Sequence, residues 1–547
     1  MRHFKERVIY LLAICTVVSC QPKAQSGKPN IILIMSDDMG YSDLGCFGGE
    51  IETPVLDGLA AEGIRFTQFY NGARCCPTRA SLISGLYPHQ AGIGHMTNPS
   101  EDFGQHDYRV AGYRGELSQQ THTLAEVLKT AGYRTLMTGK WHLGMEQREQ
   151  WPLQRGFDRF YGILDGASNY FQPARPRGIT LDNEPVEVTD SNYYTTDAFT
   201  DYAIRFIREG QELNAESPFF LYLAFTAPHW PLQAPRSVVD KYRDRYDQGW
   251  AALRSERYQK MIDMGLIDAS WPLPPADGLD WDTLAVEKRA EMALRRAIYA
   301  AQVDQMDQNI GRLVDYLKTD GLFENTLIIF INDNGACAEG GMLGGGKPEQ
   351  LETKEGYFLT YGQSWANASN TPYREYKHWV HEGGISSPLI AHWPAGIPSS
   401  QRGRLIHEYS FLPDIMATFV DISDASYTTE KDGKPVPAMA GNSFLPLLKG
   451  SGGAIHDQPI CWEHEGNRAV RLGNYKAVMK WEENQPLKWE LYDLSKDRTE
   501  LNDLGGEETG RLASLVAAWE EWAATHQVRP WTEMLDSLRA NRHRANK

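Results

Sequence analysis

Residues 30–38 read NIILIMSDD: a nearly continuous apolar run from Asn30 to Met35, then Ser36 and two adjacent carboxylates, Asp37 and Asp38. A strand with no polar alternation has both faces buried, the usual state of a strand in a parallel sheet covered by helices. Comparable runs recur at Arg134–Met137, Phe219–Phe225, Leu327–Ile331 and Pro388–Ala391. Helical signals lie between them. Thr53-Pro54 opens a helix with N-cap and N1 residues and closes near Gly63. Thr123 and Glu126 form a capping box ahead of Leu124, Val127 and Leu128, and Gly132 ends that helix. Strands alternating with helices predict an α/β fold, a large mostly parallel sheet sandwiched by helices.

Two parts of the chain depart from this rhythm. Val238–Arg296 is polar and interrupted by Trp and Pro, and reads as an insertion without assignable helices. After Lys449-Gly450-Ser451-Gly452-Gly453 the pattern changes: Arg468–Met479 and Trp489–Leu494 alternate like hairpin strands, and Arg511–Thr525 is an amphipathic helix. The expected organisation is a main domain over 30–450 and a small C-terminal α+β subdomain, an antiparallel sheet plus a helix, over 451–547.

The 547 residues are 41% apolar and 23% charged, an ordinary globular composition. A net charge of −16 argues against nucleic acid as a partner, but permits a small anion in a locally basic pocket. Arg2, His3, Lys5 and Arg7 precede a largely apolar run, Val8–Val18, too short to span a bilayer. Val17-Val18-Ser19-Cys20 resembles a bacterial lipobox. The expectation is a lipoprotein signal peptide over 1–19, lipid on Cys20, a polar tether over 20–29, and a place in the bacterial cell envelope, periplasmic or on the outer membrane, with the membrane reached only through the lipid.

Beyond the leader five cysteines remain, Cys46, Cys75, Cys76, Cys337 and Cys461. An odd number cannot pair completely, and a Cys75–Cys76 disulfide would close a strained ring across one peptide bond. One cysteine therefore serves some purpose other than a staple.

In open α/β sheets ligands gather beyond the carboxyl ends of the strands. Four predicted strands run into chemically capable groups there: Ser36-Asp37-Asp38, Thr138-Gly139-Lys140-Trp141-His142, Thr226-Ala227-Pro228-His229, and Asn332-Asp333-Asn334-Gly335. Asp37, Asp38, Asp333 and Asn334 are hard oxygen donors, and adjacent carboxylates repel each other unless a cation lies between them, so the set suits Ca²⁺ or Mg²⁺. Pro77 in Arg74-Cys75-Cys76-Pro77-Thr78-Arg79 sets a helix start at N1, running through Thr78–Ser84 to Gly85. A helix N-terminus lowers a thiol's pKa and attracts anions, and Arg79 lies one turn in. A thiolate hydrolase fits that local arrangement as well.

Cys75-Cys76-Pro77-Thr78-Arg79 with Leu82 and Ser84-Gly85 resembles the signature C-x-P-S/T-R of the formylglycine-dependent sulfatases, in the alkaline-phosphatase-like superfamily. NIILIMSDDMGYSDLG, TGKWHLG, APHWP, NDNG, Lys377 with Glu382-Gly383-Gly384, and WELYDLSKDRTELNDL extend the likeness over nearly all the chain after residue 28, and HEGNRAVR brings it near bacterial arylsulfatases. The resemblance implies that a separate maturation enzyme converts Cys75 to formylglycine, and that Asp37, Asp38, Asp333 and Asn334 hold one Ca²⁺ with the converted Cys75. It implies that Arg79 holds the formylglycine hydroxyls and that Lys140 and Lys377 grip sulfate. His142 resembles the base that breaks down a sulfated intermediate; His229, helped by Lys377, the proton donor to the leaving oxygen. Asn332 and His381 depart from the usual residues at their positions, and His381 is expected to alter the pocket.

The reaction implied is hydrolysis of an aryl sulfate or a sulfated glycan, with a galactose-type sugar as one candidate. A formylglycine-dependent phosphodiesterase or phosphonate hydrolase is the alternative within the superfamily, and an inactive glycan-binding lipoprotein the alternative of another class. Substrate selection is expected in the loops Met96–Gly115, Ala167–Thr196 and Gln233–Arg296.

Overall fold

The structure is a computed structural model and describes residues 27–97 and 110–536. The leader, Cys20 and most of the tether lie outside the described residues, as do part of the Met96–Gly115 loop and the last residues of the C-terminal segment.

The main sheet takes strands β1 (Asn30–Ser36), β2 (Ile64–Tyr70), β3 (Arg134–Lys140), β4 (Arg159–Ile163), β5 (Ile179–Leu181), β6 (Glu184–Val186), β7 (Phe219–Ala224), β8 (Thr326–Asn332), β9 (Ser386–His392), β10 (Arg404–Ile406) and β11 (Ser410–Phe411). Their order is β10-β2-β9-β8-β1-β7-β3-β4-β5-β6, with β11 also on β2. β1, β7, β8, β3 and β4 pair in parallel and every residue of β1, β7 and β8 is buried, as the unbroken apolar runs predict. β9 is antiparallel to both β8 and β2. β2 therefore points the same way as β1 and β8, and the chain entering β9 arrives at the edge where the other strands end.

Apolar side chains on the two faces of β1 feed two cores, one through Ile32 and Ile34, the other through Ile31, Leu33 and Met35. The Thr123–Glu126 capping box forms as expected, with Glu126 N donating to Thr123 Oγ1 at 3.1 Å and Thr123 N to Glu126 Oε2 at 3.0 Å. At helix α1 (Pro54–Ala61) the Thr53 side chain makes no cap. Instead Asp307 accepts from Val55 N and Leu56 N, at 3.0 and 2.8 Å.

The polar stretch after Val238 holds two substantial helices, Gly249–Asp263 and the long Val286–Thr319. Their buried Arg257 and Arg296 reach Asp43 at 2.8 and 2.7 Å, so polar residues occupy faces that a periodicity argument reads as solvent.

A separate four-stranded antiparallel sheet, β14 (Ile460–His464), β15 (Asn467–Leu472), β16 (Tyr475–Met479) and β17 (Trp489–Asp493), follows a small hairpin of β12 (Glu430–Lys431) and β13 (Lys434–Pro435). Helix Thr509–Thr525 packs on it through Leu515, Trp519 and Trp522. β14 lies outside the stretches whose alternation predicts strands. Glu382, just before β9, ties this sheet to the main one: it accepts from Lys476 Nζ at 3.0 Å, Arg498 Nε at 2.9 Å and Tyr70 OH at 3.0 Å, all buried.

Candidate active site

The cysteine helix α2 runs Cys75–Ser84 with Arg74 as its extended N-cap residue. It starts two residues earlier than Pro77 suggested. Proline is tolerated at the third helical position because its missing N–H is one of the donors that lack an intrahelical partner anyway. Cys75 is thus the first helical residue, carried in by the end of β2, and all ten residues of α2 are buried.

The sheet brings the expected residues together. The ligand atoms of Asp37, Asp38, Cys75 and His229 all lie within 4.8 Å of one another, fully walled in by protein. Asp38 N donates to Asp333 Oδ1 at 3.1 Å, and Asn334 Nδ2 to Asp38 Oδ1 at 2.7 Å, joining the ends of β1 and β8. Asp38 sits at φ 64°, a left-handed backbone that Asp adopts more readily than most residues. Three cations ring the group: Lys140 Nζ lies 2.7 Å from Asp37 Oδ2, Arg79 3.1 Å from Asp333 Oδ2, and Lys377 Nζ 2.9 Å from Asp38 Oδ2. His229 Nε2 faces both Asp38, at 3.3 Å, and Lys377 Nζ, at 3.5 Å, while its Nδ1 donates to Trp230 O at 2.8 Å. His142, also in a left-handed backbone, donates from Nε2 to Thr97 O at 3.0 Å, leaving Nδ1 buried without a partner.

The electrostatics follow from burial of so many charges. Burial, then the neighbouring Asp333, pushes the Asp37 carboxyl well up, against Lys140 and Arg79. Asp38 is also desolvated, but Lys377, His229 and Lys140 together hold it down. Burial drives His142 well down and His229 to about 3, so both rings are neutral. Burial pushes the Cys75 thiol up to about 12, the reverse of what its helix N-terminus alone would do.

A divalent ion fits this donor set. Asp37 Oδ1 and Asn334 Oδ1 are buried without hydrogen-bond partners, although buried polar atoms are nearly always satisfied. They are hard oxygens beside two further carboxylates, the set that Ca²⁺ and Mg²⁺ prefer.

Several further residues brace or flank the site, and of these Tyr222 and Glu339 carried no signal in the sequence. Thr78 Oγ1 donates to Asp333 O at 2.6 Å and accepts from Gly72 N at 2.8 Å, pinning α2 to β8. Tyr222 OH meets Arg79 at 3.4 Å. Glu339 binds Arg74 at 3.1 Å and accepts from Trp230 Nε1 at 2.8 Å. Asn332 is a brace for the site: its Oδ1 accepts from Ser36 Oγ at 3.0 Å and Met39 N at 3.2 Å, and its Nδ2 donates to Met39 O and Asn334 O. His381 faces Glu490 of β17, 3.6 Å away. All five non-leader cysteines are buried and unpaired, with Cys76 Sγ accepting from Thr97 N at 3.2 Å.

Residues 29–425 match the family model described as Sulfatase. The chain belongs to the sulfatase family. An uncharacterized sulfatase of Schizosaccharomyces pombe is 36% identical over 533 residues, covering 91% of this chain and 94% of that protein. An arylsulfatase of Klebsiella aerogenes is 35% identical, covering 78% of this chain and 93% of its own length. Among solved structures, Ps i-CgsB in complex with k-i-k-neocarrahexaose superposes with a TM-score of 0.68 at 25% identity, covering 94% of this chain and 97% of that one. This sulfatase is a sulfuric ester hydrolase of the α/β class, with the large mostly parallel sheet and the separate small C-terminal sheet that its sequence suggested, β9, β5 and β6 making the large sheet mixed.

Proposed function

We propose that this sulfatase hydrolyses its ester with Cys75 converted to formylglycine by a separate maturation enzyme, beside one Ca²⁺ held by Asp37, Asp38, Asp333, Asn334 and the converted residue. The observation that carries this is a thiol sealed among carboxylates and three ammonium or guanidinium groups, within 4.8 Å of Asp37, Asp38 and His229. Hydrated formylglycine supplies a hydroxyl that attacks sulfur and a second hydroxyl whose deprotonation expels sulfate, while a bound divalent ion supplies positive charge for the sulfate oxygens.

The chain's own groups do the rest. Lys140, Lys377 and Arg79 are each engaged by a carboxylate, and once a bound ion keeps all three carboxylates ionised, three negative charges offset three positive ones. A divalent cation among those carboxylates leaves an excess of two positive charges, to which a sulfate monoester brings one negative charge. Lys140 and Lys377 then orient the sulfate, and Arg79 the residue at 75. Asp333, within reach of Arg79, takes the proton of the attacking hydroxyl. Because His229 Nδ1 is committed to Trp230 O, its Nε2 receives a proton from Lys377 and delivers it to the leaving oxygen. His142 Nδ1, free of partners, accepts the proton of the second hydroxyl.

The substrate is an aryl sulfate or a sulfated glycan, and lipidation of Cys20 would tether the enzyme in the bacterial envelope. Intact-mass analysis of active protein tests the central claim. Conversion removes about 18 Da from the chain, Cys75→Ala abolishes both that shift and turnover, and active enzyme with unaltered sulfur at position 75 would overturn the reading. Equal rates on a sulfate monoester and a phosphate diester of one aryl alcohol would favour the phosphodiesterase alternative.

A further inference from the structure

Beside Lys377 and Arg74, the residue before Cys75, opens a cavity of about 400 Å³. Among the described residues, the loops expected to select substrate contribute only Asp277 to it, and the rest of its lining comes from Arg74, 338–339, 363, 375–379 and Lys480. Its lining is polar, and its charges balance: Arg74, Lys377 and Lys480 against Asp277, Glu339 and Glu375.

None of those cations is spare. Arg74 lies 3.1 Å from Glu339, Lys480 3.1 Å from Glu375 and 4.2 Å from the Trp379 ring centroid, and Lys377 2.9 Å from Asp38. His378 faces a further carboxylate, Glu465, at 3.3 Å. A second anionic group on the substrate would be desolvated beside carboxylates with no free partner, which disfavours it. Hydroxyl groups, which both donate and accept, can add hydrogen bonds to paired guanidinium and carboxylate groups, whereas a bare aryl group would cover those pairs and offer no hydrogen bond in return.

We infer that this cavity receives the leaving group and selects a sugar that is neutral apart from the sulfate being removed, with the Arg74–Glu339 pair as the selecting element. The substrate class is therefore a singly sulfated neutral glycan residue, not a polysulfated or uronate-bearing one; this rests on the sulfatase reading above.

The test compares kcat/KM of the Ca²⁺-loaded, full-length enzyme on singly sulfated neutral monosaccharides, on the same sugars with a second sulfate, and on 4-nitrophenyl sulfate. The singly sulfated sugar is expected to be favoured over the disulfated one by about tenfold or more, the scale of about 1.4 kcal/mol. Glu339→Gln, nearly isosteric, takes one negative charge from the cavity and should raise the disulfated-to-singly-sulfated ratio. Arg74→Met should lower the sugar-to-aryl ratio about tenfold, again about 1.4 kcal/mol. Ratios cancel any general loss of active enzyme. A wild-type preference for disulfated sugars, hydrolysis of the aryl ester with none of any sugar, or ratios unmoved in both variants would overturn the inference. Failure to hydrolyse every ester, 4-nitrophenyl sulfate included, would instead overturn the sulfatase reading beneath it.

Discussion

Lys377 Nζ donates to Asp38 Oδ2 at 2.9 Å across 339 residues of chain. Asp38 follows the end of β1 and Lys377 precedes the start of β9, and the two meet because β9 runs against β8. The ammonium that faces His229 is thus set by the direction of one strand.

In the proposed mechanism, proton delivery to the leaving group depends on the Lys377–His229 pair. His229→Ala and Lys377→Met are each expected to lower kcat on sugar or alkyl sulfates by about 10²–10⁴-fold, the usual worth of a general acid. For His229→Ala the loss should be much smaller on 4-nitrophenyl sulfate, whose phenolate leaves without protonation, whereas Lys377→Met also loses a sulfate contact and should stay slow on both. Rates plotted against leaving-group pKa check this: a slope as shallow in His229→Ala as in the wild type would remove His229 from that role.

Chelation should act on stability as well as turnover. Asp37, Asp38 and Asp333 crowd one buried spot, and an ion bound only by the folded state stabilises it by about 2.7 kcal/mol at a hundred times its Kd. Treatment with EGTA is expected to lower Tm and abolish activity, and added Ca²⁺ to restore both. In Asp37→Asn the Tm should respond less to Ca²⁺ than in the wild type, which calorimetry reads directly.

Acid should loosen the joint between the two sheets. Burial alone would raise the Glu382 pKa, but Lys476, Arg498 and Arg471 hold it at about 2, below its ordinary 4.5. Because the folded-state value is the lower one, this carboxylate's stabilising contribution is complete above about pH 4.5 and is lost as pH falls toward 2. Glu382→Gln leaves Lys476 and Arg498 buried with less compensation and should cost about 3–5 kcal/mol at neutral pH. Its stability should also vary less between those two pH values, as denaturant titrations would show.

Gly139, next to Lys140 in β3, is paired with Ala224 of β7. At φ 105°, a Cβ there would fall 1.8 Å from Ala224 O, so β3 and β7 could not keep their spacing. Gly139→Ala is expected to destabilise the fold by more than the roughly 1 kcal/mol of the strained φ alone. It should also raise KM more than an exposed control such as Gly433→Ala, whose Cβ meets nothing within 4 Å.

The buried strands were legible because NIILIM, FFLYLAF and LIIFI have no polar alternation, and only a two-sided burial suits such runs. β2, IRFTQFY, escaped because its Arg, Thr and Gln interrupt the run, although its end delivers Cys75. The long helix Val286–Thr319 escaped because its buried face carries Arg295, Arg296, Asp304 and Asp307, charges satisfied by partners far along the chain.

By itself the sequence determined the α/β class, the pairs of oxygen donors at the ends of two strands and the signature around Cys75, since each is a local property of residue type and spacing. Only the tertiary structure decided that Lys377 belongs with Asp38, that Asn332 braces the two acidic loops, and that the cavity beside Lys377 is lined by the Arg74–Glu339 pair. The reason is physical: strand direction and the pairing of buried charges are settled by contacts between residues hundreds of positions apart, and no short stretch of chain contains both partners.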